Sequence, residues 1–285
     1  MNAAPPPGAT EEEFQRLCDL LYRQTGLALT AAKRYYVDRR VADRMTATGA
    51  GSFASYFALL RATAGGEMEL LVNSLTVNET YYFREDHQLR CLTSSLLDQI
   101  IQRKRRDEPI RIWSVPCSTG EEPYSIAIWL LENWPAVDDH EIEIVGSDID
   151  TRALAAAREG IYGRRALSRL PPDLVAKYFH PAGEERWQII DGLRDSILLS
   201  RVNLVDGAGI ARHGRFDVIF CRNVLIYFDP PTKARVLNAL AAQLQPDGVL
   251  YLGGAETVLG LTDRLVPVPG ERGVYEQPRE AALAG

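Results

Sequence analysis

Cysteine and histidine are scarce in this 285-residue chain, and neither forms a cluster. The four cysteines form no CxxC pair, so we interpret them as reduced thiols: Cys18, Cys91, Cys117 and Cys221. None of the four histidines lies at metal-ligand spacing from a cysteine or another histidine, so we predict no metal site. No apolar run reaches the roughly 18 residues that a membrane-spanning helix needs, so we predict no membrane insertion.

Positive charge is also in deficit. The chain has 32 Lys and Arg against 38 Asp and Glu, a net charge of −6 and a pI of about 5.4, which argues against a nucleic-acid-binding protein. The first residues, "MNAAPPPGATEEEF", lack the basic flank and apolar core of a signal peptide. We therefore expect a disordered leader over residues 1–10 and a cytoplasmic protein. The hydrophobic fraction of 46% predicts a globular chain with one large domain or two smaller ones.

Only helical patterns precede residue 110. Thr10 and Glu13 have the spacing of a capping box, which predicts a helix that Gly26 ends. Thr30 is predicted to cap a second helix that runs to about Thr48. Two further helical patterns, "SFASYFALLRATA" and "EMELLVNSLTV", follow. Residues 11–75 therefore predict a small all-α domain.

From residue 110 onward, β-branched apolar runs alternate with helical segments, predicted at 121–133, 151–159 and 230–244. This alternation predicts a doubly wound parallel sheet whose strands are buried on both faces. The segment "RLVPVPGERGVYEQ" predicts a hairpin at one edge. Within 160–200, "RWQII" and "SILLS" alternate like strands around "DG", which predicts a small antiparallel insert.

Polar residues follow the predicted strands at the edge where open α/β sheets bind ligands. Asp148 is placed to accept both hydroxyls of an adenosine ribose; the alternative is a helix N-cap. In "STGEE", Gly120 is followed directly by Glu121 and Glu122, which would repel a pyrophosphate. These carboxylates suit a cationic cofactor without phosphates, such as S-adenosylmethionine. The alternative is that they only complement the helix dipole.

Five motifs resemble the CheR family of chemoreceptor methyltransferases: "NETYYFRE", "STGEEPYSIAI", "SDID", "IFCRNVLIYFD" and "GVYEQ". The resemblance extends from about residue 11 to residue 277. It implies the all-α domain over 11–75 and, over 76–285, an α/β Rossmann-like class I methyltransferase domain with a small antiparallel β-subdomain at about 160–200. It also implies a protein-glutamate O-methyltransferase, which transfers methyl from S-adenosylmethionine to glutamate side chains of bacterial chemoreceptors and leaves S-adenosylhomocysteine.

The resemblance also points to these cofactor contacts: Asn78, Thr80, Arg84, Glu121, Asp148, Asn203, Leu204, Arg222 and Asn223. Glu121 is favoured over Glu122, although the spacing of the motif does not decide between them. The Arg84 guanidinium suits the cofactor carboxylate, or the incoming substrate carboxylate if the cofactor does not use it. We select Tyr227 as a residue that lines the methyl-transfer site, with a core aromatic as the alternative. "FDPPT" at 228–232 resembles a motif of amino-group methyltransferases, but it lacks the motif's final aromatic, and its prolines are predicted to begin a helix.

Two basic stretches remain. Lys33, Arg40 and Arg44 fall on one face of the predicted second helix. A solvated face is one interpretation; the resemblance implies instead that this face meets the acidic methylation region in the cytoplasmic signalling part of the receptors. "RKRR" at 103–106 is predicted to complement the dipole at a helix C-terminus.

The insert also bears on receptor recognition. Its loop has only Gly183 and Gly192 for close backbone approach, and the pair Glu184–Glu185 would repel a peptide carboxylate. We therefore predict no tethering by a receptor C-terminal pentapeptide, and we expect a monomer. Two other functions stay open at this point: methylation of another carboxylate or small molecule, and non-catalytic binding of S-adenosylmethionine in signalling.

Overall fold

The computed structural model describes residues 9–62, 66–105 and 107–278, and it divides the chain into two compact units. The first unit comprises the residues up to Val77 together with Tyr227–Asp229. The second comprises Asn78–Ile226 and the chain from Pro230 onward. Residues 1–8 of the predicted leader lie outside the described residues.

Helices build the first unit, as the sequence predicts. They are α1 (Glu11–Thr25), α2 (Arg34–Thr48), α3 (Phe53–Ala62) and α4 (Gly66–Leu75). Their apolar faces form a core in which these side chains are fully buried: Leu21, Val37, Tyr56 and Leu71. Phe228 joins this unit through an isolated antiparallel bridge to Leu27.

The predicted helix caps are confirmed in α1 but not in α2. Thr10 and Glu13 form the capping box, with 3.2 Å from Glu13 N to Thr10 Oγ1, and Gly26 takes a φ of 75° after the last turn. The prediction for Thr30 is wrong, since its side chain caps no N–H among the described residues. A 3₁₀ turn at Ala31–Lys33 follows it, and the α-helix begins only at Arg34.

Strands of two sheets build the second unit. In chain order they are β1 (Ile110–Ser114), β2 (Ile142–Asp148), β3 (Ile161–Gly163), β4 (Phe179–Pro181), β5 (Arg186–Ile189), β6 (Ile197–Arg201), β7 (Phe216–Cys221), β8 (Leu244–Leu252), β9 (Val266–Pro267) and β10 (Val274–Glu276). Over the described residues the large sheet has seven strands in the order β6-β2-β1-β7-β8-β10-β9. The first five in that order are parallel, and the predicted edge hairpin, β9 with β10, is antiparallel.

The strand order reverses beside β1. The chain proceeds from β1 through β2 to β6 on one side, and then returns to β7 on the other side of β1. All six residues of β7 are buried, as a strand covered on both faces requires. This confirms the predicted doubly wound sheet and puts its switch point at the carboxyl ends of β1 and β7, where such sheets bind ligands.

Helices of the second unit are α5 (Asp86–Cys91), α6 (Leu97–Arg103), α7 (Glu121–Asn133), α8 (Thr151–Glu159), α9 (Pro172–Tyr178), α10 (Asp191–Ser196), α11 (Gly207–Ala211) and α12 (Pro230–Ala241). The bounds of α7 and α8 are the predicted ones, and the two prolines begin α12 as predicted. In "RKRR", α6 ends at Arg103, Lys104 pairs with buried Asp217 at 3.0 Å, and the last arginine lies outside the described residues. Among the described helices, none has the length and apolar character to cross a bilayer.

The small antiparallel sheet differs from the prediction in its strands. "RWQII" supplies its central strand, β5, which pairs with β3 and β4. "SILLS" instead forms β6 of the large sheet, parallel to β2, and "DG" lies in α10 rather than in a hairpin turn. Alternation identifies a strand with one buried face, here with Ile197 buried and Leu198 exposed, but it does not identify the partner strand.

Candidate active site

A tight loop connects β1 to α7 at the switch point. Its Gly120 has a φ of 95°, and a Cβ there would lie 2.9 Å from Tyr124 Cε2 and 3.0 Å from the Tyr162 hydroxyl. That hydroxyl donates a hydrogen bond to the Thr119 carbonyl oxygen at 2.9 Å. The loop therefore requires glycine both for its conformation and for the space around it.

Asp148, at the end of β2, fixes the same loop. Its Oδ2 accepts the Ser118 N–H at 2.8 Å, and its Oδ1 accepts the Asp150 N–H at 2.9 Å. Burial raises the pKa of Asp148 to about 6, although these backbone donors oppose the shift. The carboxyl group therefore takes up a proton in mildly acidic solution.

The alternative role of Asp148 as a helix N-cap is wrong, because Asp150 caps α8. Its Oδ1 accepts the N–H groups of Arg152 at 2.9 Å and Ala153 at 3.3 Å. The preference for aspartate directly before a helix could have identified this cap, since α8 begins at Thr151. Asp148 instead holds the backbone of the cap residue itself, through the hydrogen bond from the Asp150 N–H.

Asn78, predicted from the resemblance alone, connects two of these elements. Its Nδ2 donates to Asp150 Oδ2 at 2.9 Å, and its Oδ1 accepts the Ser118 hydroxyl at 3.3 Å. The side chain therefore touches both the loop after β1 and the start of α8. Arg84, later in the same segment, donates from Nη1 to the Glu79 carbonyl oxygen at 2.9 Å.

The two carboxylates that follow Gly120 have different surroundings. Glu122 accepts the Ser114 hydroxyl at 2.8 Å and forms an ion pair with Arg222, with 2.6 Å between Oε2 and Nε. Glu121 is buried and accepts the Thr119 hydroxyl at 2.6 Å, and burial raises its pKa. Glu122 is committed to a protein cation, which leaves Glu121 as the better candidate for a cationic ligand.

Arg222, after β7, lies at the centre of a buried network. Besides Glu122, its guanidinium donates to the Arg84 carbonyl oxygen at 2.8 Å and to Gln88 Oε1 at 3.1 Å. Glu85 Oε2 lies 3.6 Å away. The Arg222 side chain is only 4% exposed. The arginine therefore connects the segment before α5 to the start of α7.

The remaining predicted cofactor contacts border Asp148 and the segment after Asn78. The Val202 N–H donates to the Asp148 carbonyl oxygen at 3.0 Å, so Asn203 and Leu204 follow β6 directly beside the end of β2. Thr80 is half-buried two residues after Asn78. Three residues of the site were not predicted: Gln88, Tyr162 and Glu256. Gln88 follows the "NETYYFRE" motif by three residues and the other two lie further from any motif, so only their contacts identify them.

In the first unit, Arg44 of the basic face is committed to the protein. Its guanidinium meets Glu67 in a two-point contact, at 2.9 Å from Nε and 2.7 Å from Nη2. Glu67 is only 7% exposed and also accepts the Tyr56 hydroxyl at 2.8 Å. Such a pair anchors α2 to α4.

Lys33 lies in the 3₁₀ turn before α2, so the prediction that it shares a face of that helix with Arg40 and Arg44 is wrong. The Lys33 ammonium lies 5.3 Å from the centroid of the Tyr227 ring, a cation–π distance, and Lys33 is exposed. The Arg40 guanidinium lies 5.2 Å from the ring centroid of Tyr36.

The Tyr227 carbonyl oxygen accepts the Ala28 N–H at 3.0 Å. The structure thus groups Tyr227 with the helical unit.

The chemistry of the donors in the second unit fits S-adenosylmethionine. Glu121 and Asp148 place two buried carboxyl groups beside the loop after β1, and carboxylates are the acceptors that amino groups and ribose hydroxyls require. Glycine at position 120 lets the loop pack directly against Tyr124, Ala157 and Tyr162, which holds the backbone between Asp148 and α7 in one conformation. A pyrophosphate would instead meet carboxylates at the start of α7.

Two family models match the chain. The all-alpha domain of CheR methyltransferases matches residues 12–76, and their SAM binding domain matches residues 78–274. The chain belongs to the CheR methyltransferase family. It is therefore an S-adenosylmethionine-dependent methyltransferase, and the predicted family, fold class and cofactor are confirmed.

CheR-family relatives cover nearly the whole chain. Chemotaxis protein methyltransferase 2 of Vibrio cholerae is 45% identical over 250 residues, which are 87% of this chain and 86% of the relative. Chemotaxis protein methyltransferase 2 of Pseudomonas aeruginosa is 41% identical over 252 residues, 87% of each chain. A solved rRNA methyltransferase, aviRa of Streptomyces viridochromogenes, covers 70% of this chain and 86% of its own at 12% identity and a TM-score of 0.39, a similarity too low to extend the assignment.

We predict that binding of S-adenosylhomocysteine to this CheR-family protein weakens in acid through Asp148. Hydrogen bonds from ribose hydroxyls need the carboxylate, and the free protein holds a proton there below its pKa of about 6. The dissociation constant should rise about tenfold from pH 7 to pH 5. By the same linkage, ionisation of Asp148 lowers the stability of the free fold as pH rises through about 6. Calorimetry from pH 7 to pH 5, repeated with Asp148→Asn, measures the affinity. A wild-type affinity that stays constant over this range would contradict the prediction.

Proposed function

We propose that this protein is a protein-glutamate O-methyltransferase acting on the cytoplasmic signalling region of bacterial chemoreceptors, and that it works in the cytoplasm as a monomer. The observation that carries the proposal is the match of both CheR domains, in order, along one chain. Relatives that share both parts are named chemotaxis protein methyltransferases. A methyltransferase domain alone would support only the reaction, whereas the helical domain supports a receptor substrate.

The proposed cofactor contacts divide by the charge that each offers. Asp148 would bind the ribose hydroxyls, Glu121 would complement the positive charge, and Arg84 would bind a carboxylate. The other proposed contacts are Asn78, Thr80, Asn203, Leu204, Arg222 and Asn223. S-adenosylmethionine carries the methyl group on a sulfonium sulfur. When the methyl group is transferred, the sulfur leaves as a neutral thioether.

The protein's own part in the reaction is positioning. A glutamate side chain is ionised at pH 7, so its attack on a methyl carbon needs no strong general base. Residues that align the carboxylate and exclude water can supply up to roughly 7–11 kcal/mol of the rate enhancement through effective concentration. We propose Tyr227 for alignment, and Arg84 as the nearest cation if the cofactor leaves it free.

Tyr227→Phe removes the hydroxyl and keeps the ring against which Lys33 lies. We predict that turnover falls about tenfold or more while affinity for S-adenosylhomocysteine changes less than about twofold, because one charge-assisted hydrogen bond contributes roughly 1.5 kcal/mol or more. Tyr22→Phe is the control, since the Tyr22 hydroxyl donates at 2.9 Å to Asp229, two residues beyond Tyr227. Equal turnover in Tyr227→Phe and wild type would make Tyr227 a packing residue.

We propose that Lys33 and Arg40 meet acidic receptor helices, with Arg44 holding α2 in place through Glu67. Methylation should then slow as salt rises, because exposed charges are screened. The double variant Lys33→Glu, Arg40→Glu should lose most receptor methylation and keep its cofactor affinity. The control, Arg212→Glu with Arg235→Glu, changes the net charge equally at two exposed sites of the second unit. Similar losses in both double variants would reject a specific basic face.

We also propose that no receptor pentapeptide tethers the protein. The connection between β4 and β5 is a short closed turn, in which the Ala182 N–H donates to the Arg186 carbonyl oxygen at 2.9 Å. Glu184 and Glu185 lie in this turn, where Glu185 pairs with Arg164 at 2.9 Å, and the charge of Glu184 would repel a C-terminal carboxylate. Titration with a receptor C-terminal pentapeptide should give no saturation at micromolar concentration. Saturable binding that is lost when residues 183–195 are altered would overturn the proposal.

The proposed reaction is tested with cofactor carrying a labelled methyl group and a purified receptor signalling fragment. A carboxyl methyl ester releases labelled methanol in base, so the expected result is base-labile label on the receptor fragment. Label that appears in a small molecule when receptor is omitted would favour the alternative methyltransferase on another carboxylate. Cofactor binding without transfer to any acceptor would favour a non-catalytic signalling domain.

A further inference from the structure

The buried carboxylate of Glu256 accepts hydrogen bonds from the backbone of the loop that follows β7. Glu256 Oε1 accepts the N–H groups of Val224 at 2.9 Å and Leu225 at 2.7 Å. Its Oε2 accepts the N–H groups of Asn223 at 2.8 Å and Gly253 at 2.7 Å. A carboxylate has about four acceptor positions, so these donors occupy all of them.

This contact bridges the carboxyl ends of two parallel strands. Asn223 through Leu225 follow β7, whereas Gly253 follows β8. Three consecutive N–H groups that converge on one point form a backbone nest, a geometry that binds anions, and here the anion is the protein's own side chain. Asn223 has a left-handed φ of 60° within this nest.

The space around the carboxylate is closed. A Cβ at Gly253 would lie 2.6 Å from Asn223 Nδ2 and 2.8 Å from Glu256 Oε2. Glu256 itself is only 8% exposed. Burial raises its pKa, and the four N–H donors oppose that shift. The conformation of the loop therefore depends on the carboxyl group of a side chain 33 residues further along the chain, which all four N–H groups contact.

We infer that Glu256 is a positioning residue of the methyltransferase site: it sets the backbone conformation of the loop from Asn223 to Leu225. The inference rests on the proposed cofactor contact at Arg222 and Asn223. A neutral side chain of the same shape cannot replace it, because a glutamine amide would turn an NH₂ group toward two of the N–H donors.

The test compares Glu256→Gln with a matched control, Asp217→Asn. Asp217 is also buried, accepts the Arg111 N–H at 2.8 Å and pairs with Lys104, but it lies near the opposite end of β7. Hydrogen exchange of the peptide over 221–227 should accelerate in Glu256→Gln and not in Asp217→Asn. Affinity for S-adenosylhomocysteine should fall about tenfold or more in Glu256→Gln alone, as expected for a lost charge-assisted bond.

Glu256→Asp retains the charge and serves if the glutamine variant does not fold; its expected losses in protection and affinity are intermediate. Wild-type exchange and affinity in folded Glu256→Gln would overturn the inference. So would exchange that accelerates throughout the second unit to the same extent in Asp217→Asn. The variant Asn223→Ala tests the proposed cofactor contact separately from the role of Glu256. If its affinity for S-adenosylhomocysteine is unchanged while Glu256→Gln exchanges faster, the cofactor contact at Asn223 is rejected, but Glu256 still holds the loop.

Discussion

Replacing Arg222 with methionine should lower the free energy of unfolding by about 3–5 kcal/mol, because the change leaves buried charge without its partner. The Glu122 carboxylate loses its 2.6 Å ion pair, and Gln88 Oε1 and the Arg84 carbonyl oxygen lose their donor. Cofactor binding should fall with it, since the segment of Arg84 and the start of α7 carry proposed cofactor contacts. Thermal unfolding followed by circular dichroism, with and without S-adenosylhomocysteine, measures both effects.

Arg90→Met is the matched control for this prediction. Arg90 lies six residues after Arg84 and pairs with Asp86 at 2.7 Å, but both side chains are about half exposed. A surface pair contributes about 0–1 kcal/mol, so this variant should unfold close to wild type. In the double variant Glu122→Gln, Arg222→Met the second change should cost less than it does alone. Equal destabilisation by Arg222→Met and Arg90→Met would refute the buried network.

Gly120→Ala should remove cofactor binding and lower the free energy of unfolding by about 2–5 kcal/mol, the sum of a strained backbone and an overpacked side chain. The new methyl group would need a φ of 95° and would lie 2.9 Å from the Tyr124 ring and 3.0 Å from Ala157 Cβ. Because those neighbours are buried, the loop between β1 and α7 has to move. Calorimetry with S-adenosylhomocysteine and a thermal melt measure the two losses.

Gly183→Ala separates the two causes. Gly183 also has a positive φ, 120°, but among the described residues no atom lies within 4 Å of a Cβ placed there. This variant carries the backbone strain alone, so it should cost about 1–2 kcal/mol and leave cofactor affinity unchanged. If Gly120→Ala binds cofactor as tightly as Gly183→Ala does, the loop after β1 is not part of the cofactor site.

Local rules predicted those elements whose limits are set by neighbouring residues. The α1 helix has its capping box at Thr10 and Glu13 and its glycine stop at Gly26, and both are as predicted. The bounds of α7 and α8 also agree, because each helix begins directly after the turn that ends a strand. The strands at "RWQII" and "SILLS" were recognised, but assigning them to one sheet was wrong, since pairing depends on residues distant along the chain.

The same limit applies to the site. Gly120, Glu121 and Glu122 indicated a cationic cofactor from the sequence alone. Carboxylates at the start of a helix repel phosphates wherever the rest of the chain lies, so no distant contact is needed for that prediction. The partner of Glu122 is 100 residues away, and Glu256 bonds to a loop 33 residues before it. No spacing rule predicts such contacts. The sequence likewise predicted Arg44 on an exposed basic face, because its ion-pair partner Glu67 lies on another helix.

The most direct test of the central claim is to locate the transferred methyl group. A receptor cytoplasmic fragment is incubated with S-adenosylmethionine and either this protein or its Asp148→Asn variant, and its peptides are analysed by tandem mass spectrometry. The expected result is methyl ester on glutamate side chains of the fragment with the wild-type protein, and much less with the variant. Methyl groups found on nitrogen, or a fragment left unmodified by folded protein that binds the cofactor, would contradict the assignment as a receptor glutamate methyltransferase.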